Sequence, residues 1–341
     1  MDSIQTEEQL EEVMSRPTPE VVQAMAEMAG DVLVLGVGGK MGPTLAKLAK
    51  RAIDESGTDK QVIGVSRFSV PGLQADLNQA GVETIPCDLL NESALQQLPD
   101  VPNVVFMAGW KFGATGNEPL TWAMNTYLPG RIAEKYRDSR IVVFSTGNVY
   151  PLTPVAYGGA VETDAVAPIG EYAQSCLGRE RMFEHFSQQF GTRVALIRLN
   201  YAIDLRYGIL LDIAEKVYSG KPVYLTMGNV NIIWQGDANA VILRAFTHCQ
   251  SPPICLNLTG PETVSIRRLA TQFGEIFDKK PVLEGEEVKT ALLNNASRCH
   301  QIFGYPRISL EQMVYWVAHW VKIGGPTLRK PTKFEVRNGK F

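Results

Sequence analysis

Residues 31–52, DVLVLGVGGKMGPTLAKLAKRA, carry the clearest indication of the fold. The four apolar residues at 32–35 run directly into glycines, which is typical of a buried strand followed by a tight turn. Beyond the glycines the apolar residues recur at helical spacing, so that one helix face carries Leu45, Leu48, Ala49 and Ala52. The stretch therefore predicts a strand, a glycine loop and a helix in direct succession.

The glycines follow the spacing Gly-x-x-Gly-x-x-Gly, with Gly36, Gly39 and Gly42 as its members. The spacing Gly-x-Gly-x-x-Gly fails, because Met41 stands in place of its last glycine. Glycine permits a tight turn and a close backbone approach, and a helix N-terminus presents free N–H groups to a phosphate. Between a strand and a helix, this loop predicts a site for the pyrophosphate of a dinucleotide, with Lys40 and Met41 inside it.

The chain beyond this stretch alternates strand and helix signals. Short apolar runs at 61–65, 103–108, 140–145 and 193–199 are separated by longer amphipathic stretches. Strands without polar alternation, spaced by helices, predict a parallel sheet covered on both faces. We therefore expect an α/β protein with a doubly wound parallel sheet of the Rossmann type and a smaller C-terminal α/β substrate-binding region. The Rossmann domain is expected over residues 31–205, with residues 235–258 returning to it. The substrate-binding region is expected over residues 206–330.

The two ends of the chain have signals of their own. Thr6 and Thr18 each precede a short helical pattern, which predicts an N-terminal helical appendage over residues 1–30. Ser309 opens a final helix in the same way. Residues 331–341 form a mildly basic tail, for which disorder is favoured over folding across the substrate mouth.

The composition excludes several classes of protein. A net charge of −3 over 341 residues gives no electrostatic footprint for nucleic acid. No apolar run reaches the roughly 20 residues that cross a bilayer, and the acidic N-terminus lacks the layout of a signal peptide. These features predict a cytoplasmic protein that binds neither membranes nor nucleic acid. The scattered histidines predict no metal site, and reduced thiols are predicted for Cys87, Cys176, Cys249, Cys255 and Cys299.

The end of the second strand selects the cofactor. NAD-binding proteins usually place an acidic residue there to hold the ribose 2′-hydroxyl. In this chain Ser66 and Arg67 stand at that point, with no carboxylate. Together with Lys40 they suit a 2′-phosphate, which favours NADP over NAD; a solvated surface arginine is the alternative. After the third strand, Asp88-Leu89 places a carboxylate where it can bond the adenine amino group.

These blocks resemble the extended short-chain dehydrogenase/reductases, the NAD(P)-dependent epimerase/dehydratase family, over residues 31–320. Ala108-Gly109 matches the point where the family's fourth strand meets the nicotinamide ribose, and Asn125 matches a helix asparagine. Residues 144–150, FSTGNVY, are similar to the family's SSxxVYG block, which puts Thr146 on the catalytic serine or threonine. The resemblance implies a sugar-like or nucleotide-sugar substrate and a homodimer formed through two helices per subunit.

The active-site helix departs from the family pattern Tyr-x-x-x-Lys. Tyr172 is followed four residues later by Cys176 in place of the lysine. A tyrosine, with an ordinary pKa of about 10, needs a nearby cation to act as general base at neutral pH, and a thiol supplies none. Lys111 directly follows the fourth strand, at the edge where this architecture binds ligands. It is the candidate replacement for the missing charge; a solvated loop lysine is the alternative.

These expectations combine into two hypotheses. The first is an NAD(P)-dependent oxidoreductase or epimerase acting on a hydroxyl or keto carbon of a sugar-like substrate. Tyr172 would be its general acid/base, Thr146 would bond the reacting oxygen, and Lys111 would supply charge. Gly147 and Asn148 stand where related dehydratases carry acid/base residues, which argues against that dehydration. The second is an NAD(P)-binding regulator or scaffold that has lost its chemistry along with the lysine.

Overall fold

The computed structural model describes residues 3–111, 113–330 and 332–340. Its strands, numbered along the chain, are β1 (Val32–Leu35), β2 (Val62–Ser66), β3 (Glu83–Pro86), β4 (Asn103–Phe106), β5 (Arg140–Thr146), β6 (Thr153–Pro154), β7 (Arg193–Leu199), β8 (Ala202–Ile203), β9 (Val223–Tyr224), β10 (Asn229–Val230), β11 (Ile233–Trp234), β12 (Ile254–Leu258), β13 (Val264–Ser265), β14 (Leu283–Glu284) and β15 (Thr290–Ala291). Its α-helices are α1 (Glu7–Ser15), α2 (Pro19–Glu27), α3 (Gly42–Glu55), α4 (Leu73–Gln79), α5 (Glu92–Gln96), α6 (Glu118–Trp122), α7 (Leu128–Lys135), α8 (Gly170–Phe190), α9 (Ile209–Ser219), α10 (Gln235–Arg244), α11 (Ile266–Phe277), α12 (Ser297–Phe303) and α13 (Leu310–Lys322).

A seven-stranded parallel sheet forms the centre of the molecule, in the order β12-β7-β5-β4-β1-β2-β3. All residues of β1 are completely buried, because helices cover both faces of the sheet. From β1 the chain runs outward to β2 and β3, and then returns to β4 on the other side of β1. Ligands bind at the carboxyl ends of the strands where the strand order reverses in this way. The predicted Rossmann fold is confirmed, and it places the ligand crevice between β1 and β4.

The two faces of the sheet have separate apolar cores. On one face α2, α3 and α10 bury residues such as Val21, Leu45 and Ile242. On the other face α7 and α8 bury Ile132 and Phe183. This second layer sets the position of α8, because its apolar face packs on the sheet while its first turns extend past the end of β5.

The C-terminal region has a core of its own, built on α9, α11 and α13. Trp234 and Trp316 meet edge to face in it, with ring centroids 5.3 Å apart. The predicted last helix is confirmed as α13, whose N-cap Ser309 accepts a hydrogen bond from the backbone N–H of Gln312. Short strand pairs, β14 with β9 and β15 with β6, tie this region together and attach it to the chain that follows β5.

The two N-terminal helices are confirmed as α1 and α2, with Thr6 and Thr18 as their N-caps. They join the two parts of the molecule. Leu10 of α1 is buried in the C-terminal core, whereas Val21 of α2 is buried in the core of the sheet. Glu11 reinforces this junction by pairing with Lys47 of α3 and with Arg206 of the C-terminal region. Residues 3–27 therefore act as a clasp between the two regions and do not pack on one of them alone.

The expectation of a disordered tail is wrong for residues 332–340; Pro331 and Phe341 lie outside the described residues. Phe334 is 1% exposed and belongs to the C-terminal core. The Arg337 guanidinium donates hydrogen bonds to the backbone oxygens of Thr226 and Thr290 and to the Thr290 hydroxyl. The burial of Phe334 and the hydrogen bonds of Arg337 thus offset the conformational entropy that is lost when the segment is ordered. Within the described ranges, no helix has the length and apolar character needed to cross a bilayer.

Candidate active site

The glycine loop lies at the carboxyl end of β1, where the strand order reverses. Gly36 has a φ of +95°, and a Cβ on it would lie 2.6 Å from the backbone nitrogen of Ala108 at the end of β4. A Cβ on Gly42 would lie 2.2 Å from the carbonyl oxygen of Val37. Both positions therefore require glycine. Gly39 closes the turn by donating its N–H to the Gly36 carbonyl at 3.1 Å.

Helix α3 begins at the end of this loop. Its N-cap is Met41, which gives no side-chain cap to the first-turn N–H groups. These groups face the carboxyl edge of the sheet, and the helix dipole adds positive potential there. The loop and helix together fit a bound pyrophosphate.

Lys40 reaches toward Tyr207 in the C-terminal region. Its Nζ lies 3.1 Å from the centroid of the Tyr207 ring. Burial lowers the pKa of Lys40 to about 7, with repulsion from Lys111 and Lys330 contributing to the decrease. The shared 2′-phosphate site of Lys40 and Arg67 stays a prediction. Lys40 also lies near the positive charges of Lys111 and Lys330.

The ends of β2 and β3 carry the residues predicted to bind the adenosine half of the cofactor. The Ser66 hydroxyl accepts a hydrogen bond from the backbone N–H of Phe68 at 3.0 Å, and Arg67 beside it is exposed. Asp88 is also exposed, and its Oδ1 accepts from the backbone N–H of Leu90 at 3.1 Å. Leu89 is buried under this turn. Exposed groups on neighbouring strand ends fit recognition of a ribose or its phosphate on one side and of adenine on the other.

Asn125 lies in a π-helical turn, Ala123–Tyr127, between α6 and α7. Its Oδ1 accepts from the Trp110 N–H at 2.8 Å and from Arg179 at 2.9 Å, while its Nδ2 donates to the Trp110 carbonyl and to the Ser175 hydroxyl. All four hydrogen-bonding positions of the amide are used inside the protein. In the structure Asn125 fixes the backbone that follows Gly109, and its contact with the cofactor stays a prediction.

Thr146 and Tyr172 meet at the end of β5. The Thr146 Oγ1 accepts hydrogen bonds from the Asn148 N–H at 3.2 Å and from its Nδ2 at 2.9 Å. Both Thr146 and Cys176 lie close enough to the Tyr172 hydroxyl to shift its pKa. Burial holds the pKa of Tyr172 well above its ordinary value, with a further rise from Cys176 and a lowering from Arg179 and Thr146. The phenol is therefore protonated at neutral pH and close to a second polar hydroxyl.

Lys111 joins this pair from the loop that follows β4. Its Nζ lies 5.5 Å from the centroid of the Tyr172 ring. Burial lowers the pKa of Lys111 to about 8. Of the predicted residues, the structure thus brings together Thr146, Tyr172 and Lys111 beside Ala108-Gly109. Ser66, Arg67 and Asp88 lie further along the same edge.

Sequence reasoning missed Arg179 on α8. This residue is 6% exposed, and its guanidinium donates to the Phe144 carbonyl at 2.6 Å and to the Asn125 Oδ1 at 2.9 Å. The signal was available: an arginine three residues after Cys176 falls on the buried face of the helix. An arginine on such a face is rarely fully buried unless it is paired, so its position indicates a role inside the protein.

The fold matches solved structures over most of the chain. The UDP-glucose 4-epimerase of Thermotoga maritima with UDP-glucose is 17% identical, with a TM-score of 0.68 over 86% of this chain and 98% of that one. The UDP-glucose 4-epimerase of Thermus thermophilus with NAD is 17% identical, with a TM-score of 0.69 over 86% and 99%. The UDP-glucuronic acid 4-epimerase of Bacillus cereus with NAD is 18% identical, with a TM-score of 0.71 over 86% and 96%. At these identities the likeness establishes the fold.

Sequence comparison establishes the family. No curated protein sequence matches the chain. The model of the NAD dependent epimerase/dehydratase family, however, matches residues 32–248, which is more than half of the chain. The matched range contains the glycine loop, Thr146 and Tyr172. The chain therefore belongs to the NAD dependent epimerase/dehydratase family.

Proposed function

We propose that the protein is an NAD(P)-dependent oxidoreductase or epimerase acting on a hydroxyl or keto carbon of a sugar or nucleotide-sugar-like substrate. The observation that carries this proposal is the meeting of Tyr172, Thr146 and Lys111 beside the glycine loop. Lys111 and Lys330 create positive potential around Lys40, which suits the phosphates of a nucleotide sugar. Residues 206–330 are the proposed substrate-binding region, and similar solved structures are UDP-sugar epimerases.

The proposed cofactor is a nicotinamide dinucleotide. Its pyrophosphate is assigned to the loop at Gly36–Gly42, because Cβ atoms on Gly36 and Gly42 would collide with backbone and the first turn of α3 has no side-chain cap. NADP is proposed over NAD, since half-buried Ser66 and exposed Arg67 stand at the end of β2 without a carboxylate. The solved structures compared above contain NAD, so this preference depends on residues of this chain alone.

Tyr172 is the proposed proton carrier. The cofactor, when bound, supplies or accepts a hydride, and the chain has to move the accompanying proton. Toward the alcohol, the neutral phenol donates its proton to the carbonyl oxygen while Thr146 bonds that same oxygen. Toward the ketone, the phenolate accepts the hydroxyl proton, and the positive charge of Lys111 favours that phenolate. Burial raises the pKa of Tyr172 and therefore makes nearby cations necessary for the second direction.

Dehydration of the related type is not part of the proposal. Gly147 and Asn148 follow Thr146, and neither carries a titratable group. The Asn148 amide also donates its hydrogen bond to Thr146. Elimination of water would need an acid and a base beside the substrate at these positions.

The competing proposal is a cofactor-binding regulator, and one observation favours it. Burial raises the pKa of Cys176, so the residue one turn from Tyr172 is a neutral thiol. The two proposals are separated by incubating the protein with NADP⁺ or NAD⁺ and with UDP-glucose or UDP-glucuronic acid. Chromatography of the sugars and the absorbance of reduced nicotinamide should show conversion. Tight cofactor binding without any change in sugar or cofactor would favour the regulator.

A further inference from the structure

Arg179 lies on the same face of α8 as the active-site tyrosine. It follows Cys176 by three residues and Tyr172 by seven, and both spacings place side chains on one side of a helix. Helical side chains lean toward the N-terminus, so the arginine reaches back along α8 toward the other two. The guanidinium is therefore directed to the end of the helix where the phenol lies.

The contacts of Arg179 fix its guanidinium between two strand ends. It donates to the carbonyl of Phe144 in β5 at 2.6 Å and to Asn125, which holds the backbone after β4. A Cβ on Gly109 would lie 2.5 Å from its Nη2. Only glycine at position 109 leaves room for the guanidinium in this place. The arginine thus occupies the wall of the crevice directly behind the proposed reaction site.

The charge of Arg179 has no carboxylate partner. Among the ion pairs of the described residues none includes Arg179, and its buried Nε has no hydrogen-bond partner. The carboxylate of the neighbouring Glu180 forms an ion pair with Arg198 instead, with an N–O distance of 2.8 Å. A buried cation bonded only to neutral acceptors bears a large desolvation penalty. An anion that forms nearby during the reaction relieves that penalty.

Lys111 and Arg179 differ as sources of positive charge. The pKa of Lys111 is lowered to about 8, so this side chain loses its proton in the range where a tyrosine begins to ionise. An arginine keeps its charge throughout. The charge of Arg179 lowers the pKa of both Tyr172 and Cys176, in agreement with the placement of the guanidinium.

We propose that the buried Arg179 guanidinium is the fixed positive charge that stabilises the Tyr172 phenolate, while Lys111 is a second, titrating one. Arg179 acts through the protein and touches no reacting atom, so it is a positioning residue. This proposal rests on the proposed function, because it assigns a helper to the proton carrier. It also explains how a site with Cys176 one turn from Tyr172 can stabilise an anion.

The test measures the ionisation of Tyr172 directly. Tyrosine labelled with ¹³C at Cζ is observed by NMR with saturating NADP⁺, and the Tyr172 signal is assigned by its loss in Tyr172→Phe. Arg179→Gln keeps hydrogen-bond donors but removes the charge, whereas Arg179→Lys keeps a charge. Arg181→Met, on the exposed side of the same helix, is the matched control.

We expect the ionised fraction of Tyr172, at the highest pH at which all variants stay folded, to fall about tenfold in Arg179→Gln, which corresponds to one pKa unit. Arg179→Lys should retain most of that fraction, and Arg181→Met should match the unmodified protein. Equal ionised fractions in the unmodified protein and Arg179→Gln, including no ionisation in either, would overturn the proposal. If no sugar nucleotide turned over but the fraction followed the charge at position 179, the proposed function would fail and this assignment would stand.

Discussion

The surroundings of Lys111 disfavour its positive charge. It lies 5.5 Å from the Tyr172 ring centroid, in surroundings whose desolvation lowers its pKa to about 8. A depressed pKa means that the charged lysine is less stable in the folded chain than in the unfolded one. The resulting loss of stability is fully present below pH 8 and disappears as the pH rises toward the ordinary lysine value. The protein thus keeps a cation at the site at the expense of stability.

Replacing this lysine should separate stability from activity. Lys111→Met is expected to raise the free energy of unfolding at pH 7 by about 2 kcal/mol, a value reduced for the partial exposure of the side chain. The gain should shrink at higher pH, as measured by urea denaturation. Turnover should fall, and the apparent pKa of the limb assigned to Tyr172 should move upward. Lys280→Met, at an exposed site, should change neither quantity. If Lys111→Met changed neither the free energy of unfolding nor turnover, Lys111 would be a solvated loop residue.

Arg67 is a second residue with a role that one substitution can test. It is exposed at the end of β2, where no carboxylate stands. Titration of NADP⁺ and NAD⁺, followed by tryptophan fluorescence, should show tighter binding of NADP⁺. Arg67→Ala should remove most of that difference, since one charge-assisted contact to a phosphate contributes about 1.5–3 kcal/mol. The exposed Arg137 gives a control substitution to alanine. Tighter binding of NAD⁺ by the unmodified protein would contradict the NADP assignment.

Among the elements, the C-terminal tail lies against the helix that carries Tyr172. It crosses the C-terminal region from Thr332, bonded to Asp212 of α9, to Arg337, bonded to Thr290. A Cβ on Gly170, the first residue of α8, would lie 2.6 Å from the carbonyl oxygen of Gly339. The tail therefore packs directly against the start of the helix that carries Tyr172. Its order and the position of that helix depend on each other.

The anchor of the tail is Phe334. Phe334→Ala should destabilise the protein by about 3 kcal/mol, because it removes a fully buried ring from the C-terminal core. Leu328→Ala, at a position 39% exposed in the preceding segment, should cost much less. Thermal and urea unfolding would measure both. If the two substitutions had equal and small effects, the tail would not be anchored by this ring.

Across the whole molecule, the sequence predicted those features that depend on local pattern. The β1 run and its glycine loop were predictable because a strand buried on both faces is continuously apolar and a tight turn requires glycine. The directions of Lys40 and Arg179 were not, because contacts with residues more than fifty positions away help to set each of them. The prediction of a disordered tail was wrong for the same reason. The tail is mildly basic, but its Phe334 is buried among helices that are distant in the sequence.

The clasp formed by α1 and α2 is also a property of the whole molecule. The N-caps of the two helices could be predicted from the sequence. Their role in joining the two regions could not, because it depends on where the two cores lie. Leu10 and Val21, only eleven residues apart, are buried in different cores. The clasp therefore fixes the C-terminal core relative to the core of the sheet.

Tyr172 is the proposed proton carrier in a reaction on a sugar carbon. The most direct test compares the unmodified protein with Tyr172→Phe for turnover of UDP-sugars and for cofactor affinity, with the exposed Tyr157→Phe as control. Loss of a general acid/base should lower turnover by about 10²–10⁴-fold, while the Kd for the cofactor stays nearly unchanged. The control should keep full activity. Retention of most of the rate by Tyr172→Phe would show that Tyr172 only packs the crevice wall and takes no part in proton transfer.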